Sequence, residues 1–311
     1  RALADVYIVS GFLGAGKTTW IQKMLAEAFE GRKVALIEND FGKVSFDAAV
    51  LKQQGINVTE MNSGCICCSL SGDFAGAVAE LQKNYAPEVL IIEPSGVGKL
   101  SDVVQAVKAA GEKQAVRIAG SISIVDAKRF RLYMENFGEF FEDQTGYADV
   151  ILLSHGQDAK GKMEALRLAV NRYNDRAAVF DASWDVLPVK EVLGRLPGGS
   201  FSAADPGEEQ PHEEGCEEHH HHDAEEVFDS FTLSFDKAFA PGELEACFAR
   251  MEAAGDGMIR AKGIVRGGDA WWQVQYVPGE LRITPTKTAG GMITFIGRGV
   301  DERETTRIFG K

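Results

Sequence analysis

Short apolar runs alternate with stretches of helical periodicity over the first 180 residues. Runs typical of buried strands occur at 4–10, 33–38, 56–61, 88–93, 116–125, 150–153 and 177–180. Helical patterns separate several of these runs, for example at 19–29, 74–81 and 101–110. This alternation predicts an α/β fold, a mostly parallel sheet with helices on both faces. In such a sheet, ligands gather at the carboxyl ends of the strands.

The pattern changes near residue 200. Residues 196–200 read Leu-Pro-Gly-Gly-Ser, and residues 200–226 are acidic and His-rich with few large apolar side chains. From 227 onwards apolar periodicity returns, with strand patterns at 228–235, 258–265, 271–277 and 293–296 and helical patterns at 241–254 and 301–309. We therefore expect a first domain at 1–199, a flexible linker at 200–226, and a small α+β domain with an antiparallel sheet at 227–311.

Charge and hydropathy exclude several classes of protein. The chain of 311 residues has a net charge of −13, but the segment from Asp205 to Glu226 alone carries −10. Without a basic stripe, nucleic-acid binding is not expected. No apolar run approaches the roughly 20 residues that span a bilayer. Because no secretory signal opens the sequence, we expect a cytoplasmic protein.

A glycine-rich loop after the first strand carries the clearest chemistry. Residues 11–18 match G-x-x-x-x-G-K-[ST] without a mismatch, between a strand and a helix. Backbone N–H groups of such a loop surround phosphate oxygens, and the helix N-terminus adds partial positive charge. We expect Lys17 to reach the β- and γ-phosphates and the Thr18 hydroxyl to hold Mg²⁺. The predicted nucleotide-binding residues here are Gly11, Gly14, Ala15, Gly16, Lys17, Thr18 and Thr19.

Acidic residues follow two other strands of this predicted sheet. Glu93 begins Glu-Pro-Ser-Gly, where a carboxylate can hold Mg²⁺ through water or position the attacking water. Gly96 would let the backbone swing towards a γ-phosphate, so Lys17, Glu93 and Gly96 are the catalytic candidates. Glu38 and Asp47 flank the expected nucleotide-sensing loop. Glu38 is a candidate metal ligand, and Asp47 is either a Mg²⁺ contact or a turn-forming residue.

Two further segments carry soft metal ligands. Cys65, Cys67 and Cys68 offer three thiolates within four residues, a set that favours Zn²⁺. The alternatives are small buried residues or a redox pair. The acidic segment supplies imidazoles and a thiol for capture of divalent metal, unless it is only a solvated linker. Its candidate ligands are His212, Cys216, His219, His220, His221 and His222.

Together these motifs resemble the CobW-type P-loop GTPases, a family of zinc metallochaperones and cobalamin-synthesis accessory proteins. The resemblance rests on G-F-L-G-A-G-K-T-T, E-N-D-F-G, G-C-I-C-C, E-P-S-G and F-I-G-R-G, and also on Arg260-Ala261-Lys262-Gly263. It implies slow GTP hydrolysis, dependence on Mg²⁺, and a metal site beside the nucleotide. The metal implied is zinc, or cobalt in some members.

Two departures from the family pattern bear on the ligands. Lys43 stands where the family often has Glu, so the metal site is expected to use Cys65, Cys67 and Cys68 with Glu38. The base-recognition motif N-K-x-D is replaced by Ser-His-Gly-Gln-Asp at 154–158. Gln157 holds the Asp position in the simple register, and Asp158 holds it after a slip of one residue. ATP therefore stays open beside GTP.

The sequence thus predicts a GTP-dependent metal chaperone, with zinc as the expected cargo and a metal-requiring acceptor protein as its partner. One alternative is a nucleotide-binding metal buffer or sensor without useful turnover. Another is an accessory NTPase for cobalt or corrinoid enzymes. The sequence leaves open whether the protein is a homo-oligomer.

Overall fold

The computed structural model describes residues 3–38, 58–62, 78, 81–111, 115–156, 161–198, 228–255 and 257–310. Within these residues, the first part of the chain forms a parallel sheet in the order β3-β2-β4-β1-β5-β6-β7. Its strands are β1 (Ala4–Gly11), β2 (Val34–Glu38), β3 (Val58–Asn62), β4 (Val89–Glu93), β5 (Val116–Asp126), β6 (Val150–Ser154) and β7 (Ala178–Phe180). The predicted α/β sheet is confirmed.

Helices cover both faces of the parallel sheet because its strands are apolar on both sides. In β1, Val6 and Ile8 belong to one apolar cluster, while Tyr7 and Val9 belong to the other. Helices α2, α3 and α4 pack in the first cluster, and α1 and α5 pack in the second. The described helices of this part are α1 (Lys17–Glu27), α2 (Leu100–Gly111), α3 (Phe130–Gly146), α4 (Met163–Tyr173) and α5 (Val189–Leu193). We call residues 3–198 the N-terminal module.

Residues 228–310, here called the C-terminal module, contain an antiparallel sheet in the order β11-β10-β9-β12-β8. Its strands are β8 (Asp229–Ser234), β9 (Met258–Gly267), β10 (Ala270–Val277), β11 (Glu280–Thr286) and β12 (Met292–Gly297), and its helices are α6 (Glu243–Ala254) and α7 (Glu302–Ile308). Phe248 of α6 and Phe309 after α7 are buried against Phe295 of β12, so the helices cover one face. This α+β arrangement is as predicted, except that β11 was not among the predicted strands.

A buried aromatic cluster joins the two modules. Phe12 of the phosphate loop packs on Tyr133 and Phe137 of α3, with ring centroids 4.3 and 5.3 Å away. Phe228, at the start of the C-terminal module, lies 5.1 Å from the Phe137 ring. The phosphate loop is therefore part of the interface between the modules. None of the described helices combines the length and the apolar character that a membrane crossing requires.

Candidate nucleotide-binding site

The phosphate loop lies between the end of β1 at Gly11 and the start of α1 at Lys17. The Lys17 side chain is held inside the loop: the residue is 6% exposed, and Nζ donates a hydrogen bond to the Gly11 carbonyl at 3.0 Å. Thr18 is half-buried and Thr19 is exposed. The loop thus places an ammonium and a hydroxyl side by side at a helix N-terminus, as binding of a nucleoside triphosphate requires.

The phosphate loop opens into a cleft of about 300 Å³ between the modules, at the small end of the range for ligand pockets. The N-terminal module contributes Gly14, Gly16, Lys17, Thr18, Thr19, Gln22, Glu93, Arg129 and His155. The C-terminal module contributes Arg260, Gln273, Gln275, Tyr276, Val277, Glu280 and Arg282. Ten of these sixteen lining residues therefore lie outside the motifs that predict phosphate binding.

Two predicted metal ligands lie side by side at the carboxyl edge of the parallel sheet. Glu38 of β2 is in register with Glu93 of β4 on one side and with Asn62 of β3 on the other. Both glutamates are buried, and Glu93 lines the cleft together with Lys17 and Thr18. Glu93 therefore lies on the strand beside β1, next to the phosphate loop, and Glu38 lies one strand further out at the same edge, as the strand-end rule predicts.

The turn after Glu93 packs directly on the phosphate loop. A Cβ atom added to Gly96 would lie 2.8 Å from the Leu13 backbone nitrogen. On its other side, Gln144 of α3 donates from Nε2 to the carbonyls of Gly96 at 3.2 Å and Gly98 at 2.8 Å. Gly96 is therefore required for close approach of the two loops, and this turn contacts both the phosphate loop and α3.

A buried ion-pair network joins the modules at the rim of the cleft. Arg129 donates from Nη1 to the Asp126 carboxylate at 2.8 Å and from Nη2 to Glu280 at 2.8 Å. Its Nε donates to the Pro278 carbonyl at 3.3 Å. The Arg129 and Asp126 side chains are 6% and 0% exposed. Arg129 thus holds the β10–β11 turn of the C-terminal module against the end of β5.

His155 extends this network towards the predicted base-recognition segment. It has a left-handed backbone (φ 54°), and Nδ1 lies 3.4 Å from Asp126 Oδ1. The hydrogen bond to Asp126 raises the pKa of His155 despite partial burial. Burial opposes the charged form of Asp126, yet the contacts with His155 and Arg129 leave its pKa lowered. Asp126 is therefore a buried carboxylate that lies between the Arg129 guanidinium and the His155 imidazole.

The C-terminal module also touches the phosphate loop itself. A Cβ atom on Gly14 would lie 2.5 Å from Cγ1 of Val277, and the φ of Gly14 is +75°. Tyr133 of α3 donates from its hydroxyl to the Leu13 carbonyl at 3.2 Å, and burial raises its pKa. The loop is thus supported from α3 and covered by β10, and Gly14 leaves room for this contact.

Several predicted site residues lie outside the described residues, and their predictions stay predictions. These are Asp47, Cys65, Cys67, Cys68, Gln157, Asp158, His212, Cys216, His219, His220, His221 and His222. Among the residues that the structure describes, no group of three or more His, Cys, Asp or Glu side chains is arranged to hold a metal ion.

The site also contains residues that the sequence analysis missed. Arg129, Tyr133, Val277 and Glu280 were not singled out, and Arg260 was noted only as part of the resemblance. One signal was available for the first of them: Asp126 ends a buried strand, and Arg129 follows at i+3 on the first turn after it. The cleft residues of β9, β10 and β11 carried no such signal. In an antiparallel sheet, exposed polar residues alternate with core residues along each strand, so a polar residue at such a position does not indicate a function.

Comparison with known proteins identifies both modules. The model of the CobW/HypB/UreG nucleotide-binding domain matches residues 5–181, and that of the cobalamin synthesis protein CobW C-terminal domain matches residues 228–311. Over 181 residues the chain is 35% identical to the zinc chaperone YjiA of Escherichia coli, covering 56% of each protein. Over 257 residues it is 30% identical to the zinc chaperone CobW of a Sinorhizobium species, covering 73% of this chain and 71% of that one.

Among solved structures, the Zn(II)-bound YjiA GTPase from E. coli aligns with 99% of this chain and 98% of its own, at 22% identity and a TM-score of 0.46. The first of the two sequence alignments spans little more than half of its relative's length. The two domain matches together cover the phosphate loop, the strand-end carboxylates and the sheet that faces them. The chain is thus a member of the CobW family, with a CobW/HypB/UreG nucleotide-binding domain followed by a CobW C-terminal domain.

Proposed function

We propose that this protein is a GTPase that uses nucleotide hydrolysis to deliver a metal ion, zinc, to an acceptor protein in the cytosol. The observation that carries the proposal is the register of β2 and β4. It sets Glu38 beside Glu93, so that a candidate zinc ligand and a candidate catalytic carboxylate share one edge of the sheet, next to Lys17. Relatives of this chain are named zinc chaperones and zinc-regulated GTPase metalloprotein activators.

The residues of the cleft fit a nucleotide with its Mg²⁺. The bound cation would neutralise charge that develops on the phosphates, and Thr18 and Glu93 line the same cleft from two sides, with Asp47 as the third proposed ligand. Lys17 would exchange its hydrogen bond to the Gly11 carbonyl for phosphate oxygens. Glu93 would hold the attacking water, and Gly96 would allow the turn that contains it to move towards the phosphate loop.

Zinc is the proposed cargo, bound by Cys65, Cys67 and Cys68 with Glu38. In the sequence, the first thiolate comes three positions after Asn62, which ends β3 and is the register partner of Glu38. Thiolate and carboxylate donors suit Zn²⁺. The segment with His212, Cys216 and the four consecutive histidines is proposed to capture metal at lower affinity and to supply this site.

Turnover tests the enzymatic part of the proposal. With the full chain, Mg²⁺ and GTP, Lys17→Ala should release phosphate at least about 100-fold more slowly than the parent, because a group that neutralises transition-state charge is lost. Lys23→Ala is the matched control, since Lys23 lies on the same helix and pairs only with Glu27 in the described part of the chain. Equal phosphate release by the parent and Lys17→Ala would leave a metal buffer or sensor instead.

Coupling tests the delivery part. Because both ligands would act on the same sheet edge, saturating Zn²⁺ should change the affinity for a non-hydrolysable GTP analogue by the same factor as the analogue changes the affinity for Zn²⁺. Counting bound zinc in the parent and in Cys67→Ser, purified anaerobically, separates the tight site from the His-rich segment. If the affinity for Zn²⁺ did not depend on the analogue, and the affinity for the analogue did not depend on Zn²⁺, delivery driven by nucleotide would be contradicted.

The base is tested separately. We propose that the amide of Gln157 or the carboxylate of Asp158 recognises guanine. Asp158→Asn should lower the preference for GTP over ATP by about tenfold if Asp158 makes the charge-assisted contact. The same loss in Gln157→Ala, with Asp158→Asn unchanged, would assign recognition to Gln157.

A further inference from the structure

Three arginines line the nucleotide cleft, and they differ in how their charges are compensated. Arg129 is paired with Asp126 and Glu280, and Arg282 is paired with Glu280 at 3.0 Å. In the described part of the chain, Arg260 of β9 forms no ion pair, although it is half-buried and shares the cleft with Lys17 and Thr18. Among the described arginines of the cleft, Arg260 is therefore the one whose charge is not paired with a carboxylate.

The packing around Arg260 fixes its position relative to the phosphate loop. Ile296 is its partner across β9 and β12, and Ile259 precedes it in the chain. Both isoleucines are buried in the same cluster as Phe12 and Leu13 of the phosphate loop. Since the backbone on two sides of Arg260 is anchored against that loop, the guanidinium is carried by a rigid element rather than by a mobile segment.

Arg260 is also near the residue that supports the phosphate loop from α3. Arg260 interacts electrostatically with Tyr133, where it opposes the rise in the pKa of the phenol. The Tyr133 hydroxyl in turn donates to the Leu13 carbonyl. Arg260 thus lies close to the side of the phosphate loop formed by residues 12 and 13, and Val277 of the neighbouring strand covers Gly14.

We propose that Arg260 hydrogen-bonds the terminal phosphate oxygens of the bound nucleoside triphosphate, so that the C-terminal module completes the catalytic site. The inference rests on the proposed GTPase function and names a further catalytic residue for it. In the reaction, a water oxygen bonds to the γ-phosphorus, and the bond from that phosphorus to the β,γ-bridging oxygen breaks. The electron pair stays on the β-phosphate; of the two protons of the water, one stays on the released phosphate and the other passes to solvent. Throughout this reaction Arg260 donates N–H hydrogen bonds to the phosphate oxygens and transfers no proton.

Such a contact predicts a difference between the triphosphate and the diphosphate. A guanidinium that faces the γ-phosphate gains charge-assisted hydrogen bonds to the triphosphate and to the transition state, but few or none to GDP. Removal of Arg260 should therefore lower kcat and weaken binding of a triphosphate analogue, while GDP binds as before. A role confined to the packing of the two modules would affect both nucleotides alike.

The experiment compares Arg260→Ala and Arg260→Lys with Arg266→Ala in the full chain with Mg²⁺. Arg266 lies on the same strand, is exposed outside the cleft, and donates from Nε to the Gly268 carbonyl at 3.1 Å, so it controls for loss of one positive charge. Single-turnover GTP hydrolysis, affinities for GDP and for a non-hydrolysable GTP analogue, and thermal unfolding are measured for each variant.

We expect Arg260→Ala to lower the hydrolysis rate by about 100-fold or more, with the GDP affinity and melting temperature within error of the parent. Arg260→Lys should recover part of the rate, because the charge returns without the planar fork. A parental hydrolysis rate and analogue affinity in Arg260→Ala would overturn the inference. So would an equal loss of GDP and analogue binding, which would assign Arg260 to the module interface.

The failure of the proposed function would look different. If the parent itself shows no turnover, the GTPase function is wrong, and the analogue-to-GDP affinity ratio still decides whether Arg260 faces the γ-phosphate. A ratio reduced about tenfold by Arg260→Ala supports the contact, and an unchanged ratio contradicts it.

Discussion

The two sheets of this protein face the same cleft in different ways. The parallel sheet presents its edge: Gly11, Glu38 and Glu93 each end a strand, and the polar groups lie where apolar runs stop. The antiparallel sheet presents a face, where Arg260 and Gln275 stand on strands whose other residues, such as Ala261 and Val274, are buried under α6 and α7. Functional positions in the first sheet are marked along the chain, and those in the second are not.

This difference indicates a division of labour. An edge of a parallel sheet concentrates backbone N–H groups and carboxylates at one point, which suits phosphate and metal binding. A sheet face offers spaced, rigid side chains, which suits a wall that closes over the ligand. Arg129, which directly precedes α3, connects the two because it binds Asp126 of the parallel sheet and Glu280 of the antiparallel one. The following substitutions test how far each side depends on that connection.

The largest loss of stability is expected from Arg129→Met. The substitution keeps the apolar stem but removes the guanidinium that donates to the Asp126 carboxylate, whose side chain is 0% exposed. Removing one partner of a buried pair costs about 3–5 kcal/mol, and urea unfolding followed by tryptophan fluorescence measures the change. Arg282→Met is the control: Arg282 pairs with the same Glu280 but is 63% exposed, so the loss should stay below about 1 kcal/mol. Equal losses of stability in the two variants would mean that the buried pair of Arg129 and Asp126 contributes no more than an exposed ion pair.

A smaller effect is expected from Gly96→Ala, which tests the contact between the two loops of the parallel edge. The added Cβ atom would meet the Leu13 backbone, which cannot move aside as a side chain can. Overpacking of this kind costs about 1–3 kcal/mol, and phosphate release should fall because the phosphate loop is displaced. Gly138→Ala in α3 is the control, since nothing lies within 4 Å of its added Cβ atom. Parental stability and turnover in Gly96→Ala would show that this turn is not packed on the loop.

The smallest effect is expected from His155→Gln, and it depends on pH. Asp126 raises the pKa of His155 most; burial opposes the shift, Glu280 adds to it and Arg129 reduces it. A raised pKa in the folded protein means that protonated His155 stabilises the fold fully below its unfolded pKa of about 6.5, and that this stabilisation is lost as pH rises through the raised value. The melting temperature of the parent should therefore exceed that of His155→Gln at pH 6, and the two should converge at pH 9.

Arg282→Met, melted at the same two pH values, is the reference. Its melting temperature should differ from that of the parent by nearly the same amount at pH 6 and at pH 9. A gap for His155→Gln that widens with rising pH would contradict the ion pair with Asp126.

The parallel sheet and its phosphate loop could be predicted because their signals are local. A strand buried on both faces reads as a continuous apolar run, and G-x-x-x-x-G-K-T has one structural use between a strand and a helix. No local signal in the sequence indicates the order of the strands. This order places β4 between β2 and β1, and only this pairing sets Glu38 beside Glu93.

The strand β11 shows why the second half was harder to predict. It reads Glu-Leu-Arg-Ile-Thr-Pro-Thr, with weak alternation and a proline, and this is tolerated because β11 lies at an edge of its sheet. Glu280 at its first position gains a role only because the turn before it is folded against Arg129, 151 residues earlier in the chain. No pattern within β11 indicates that partner.

The amino-acid sequence by itself determined the class of fold, the phosphate loop and the carboxylates that end β2 and β4, because periodicity and glycine placement act over a few residues. Only the tertiary structure decided which face of the antiparallel sheet closes the cleft and, among the described residues, which cleft arginines are paired with carboxylates. Those properties depend on charges and surfaces that lie far apart in the chain and meet when the two modules pack around Phe12.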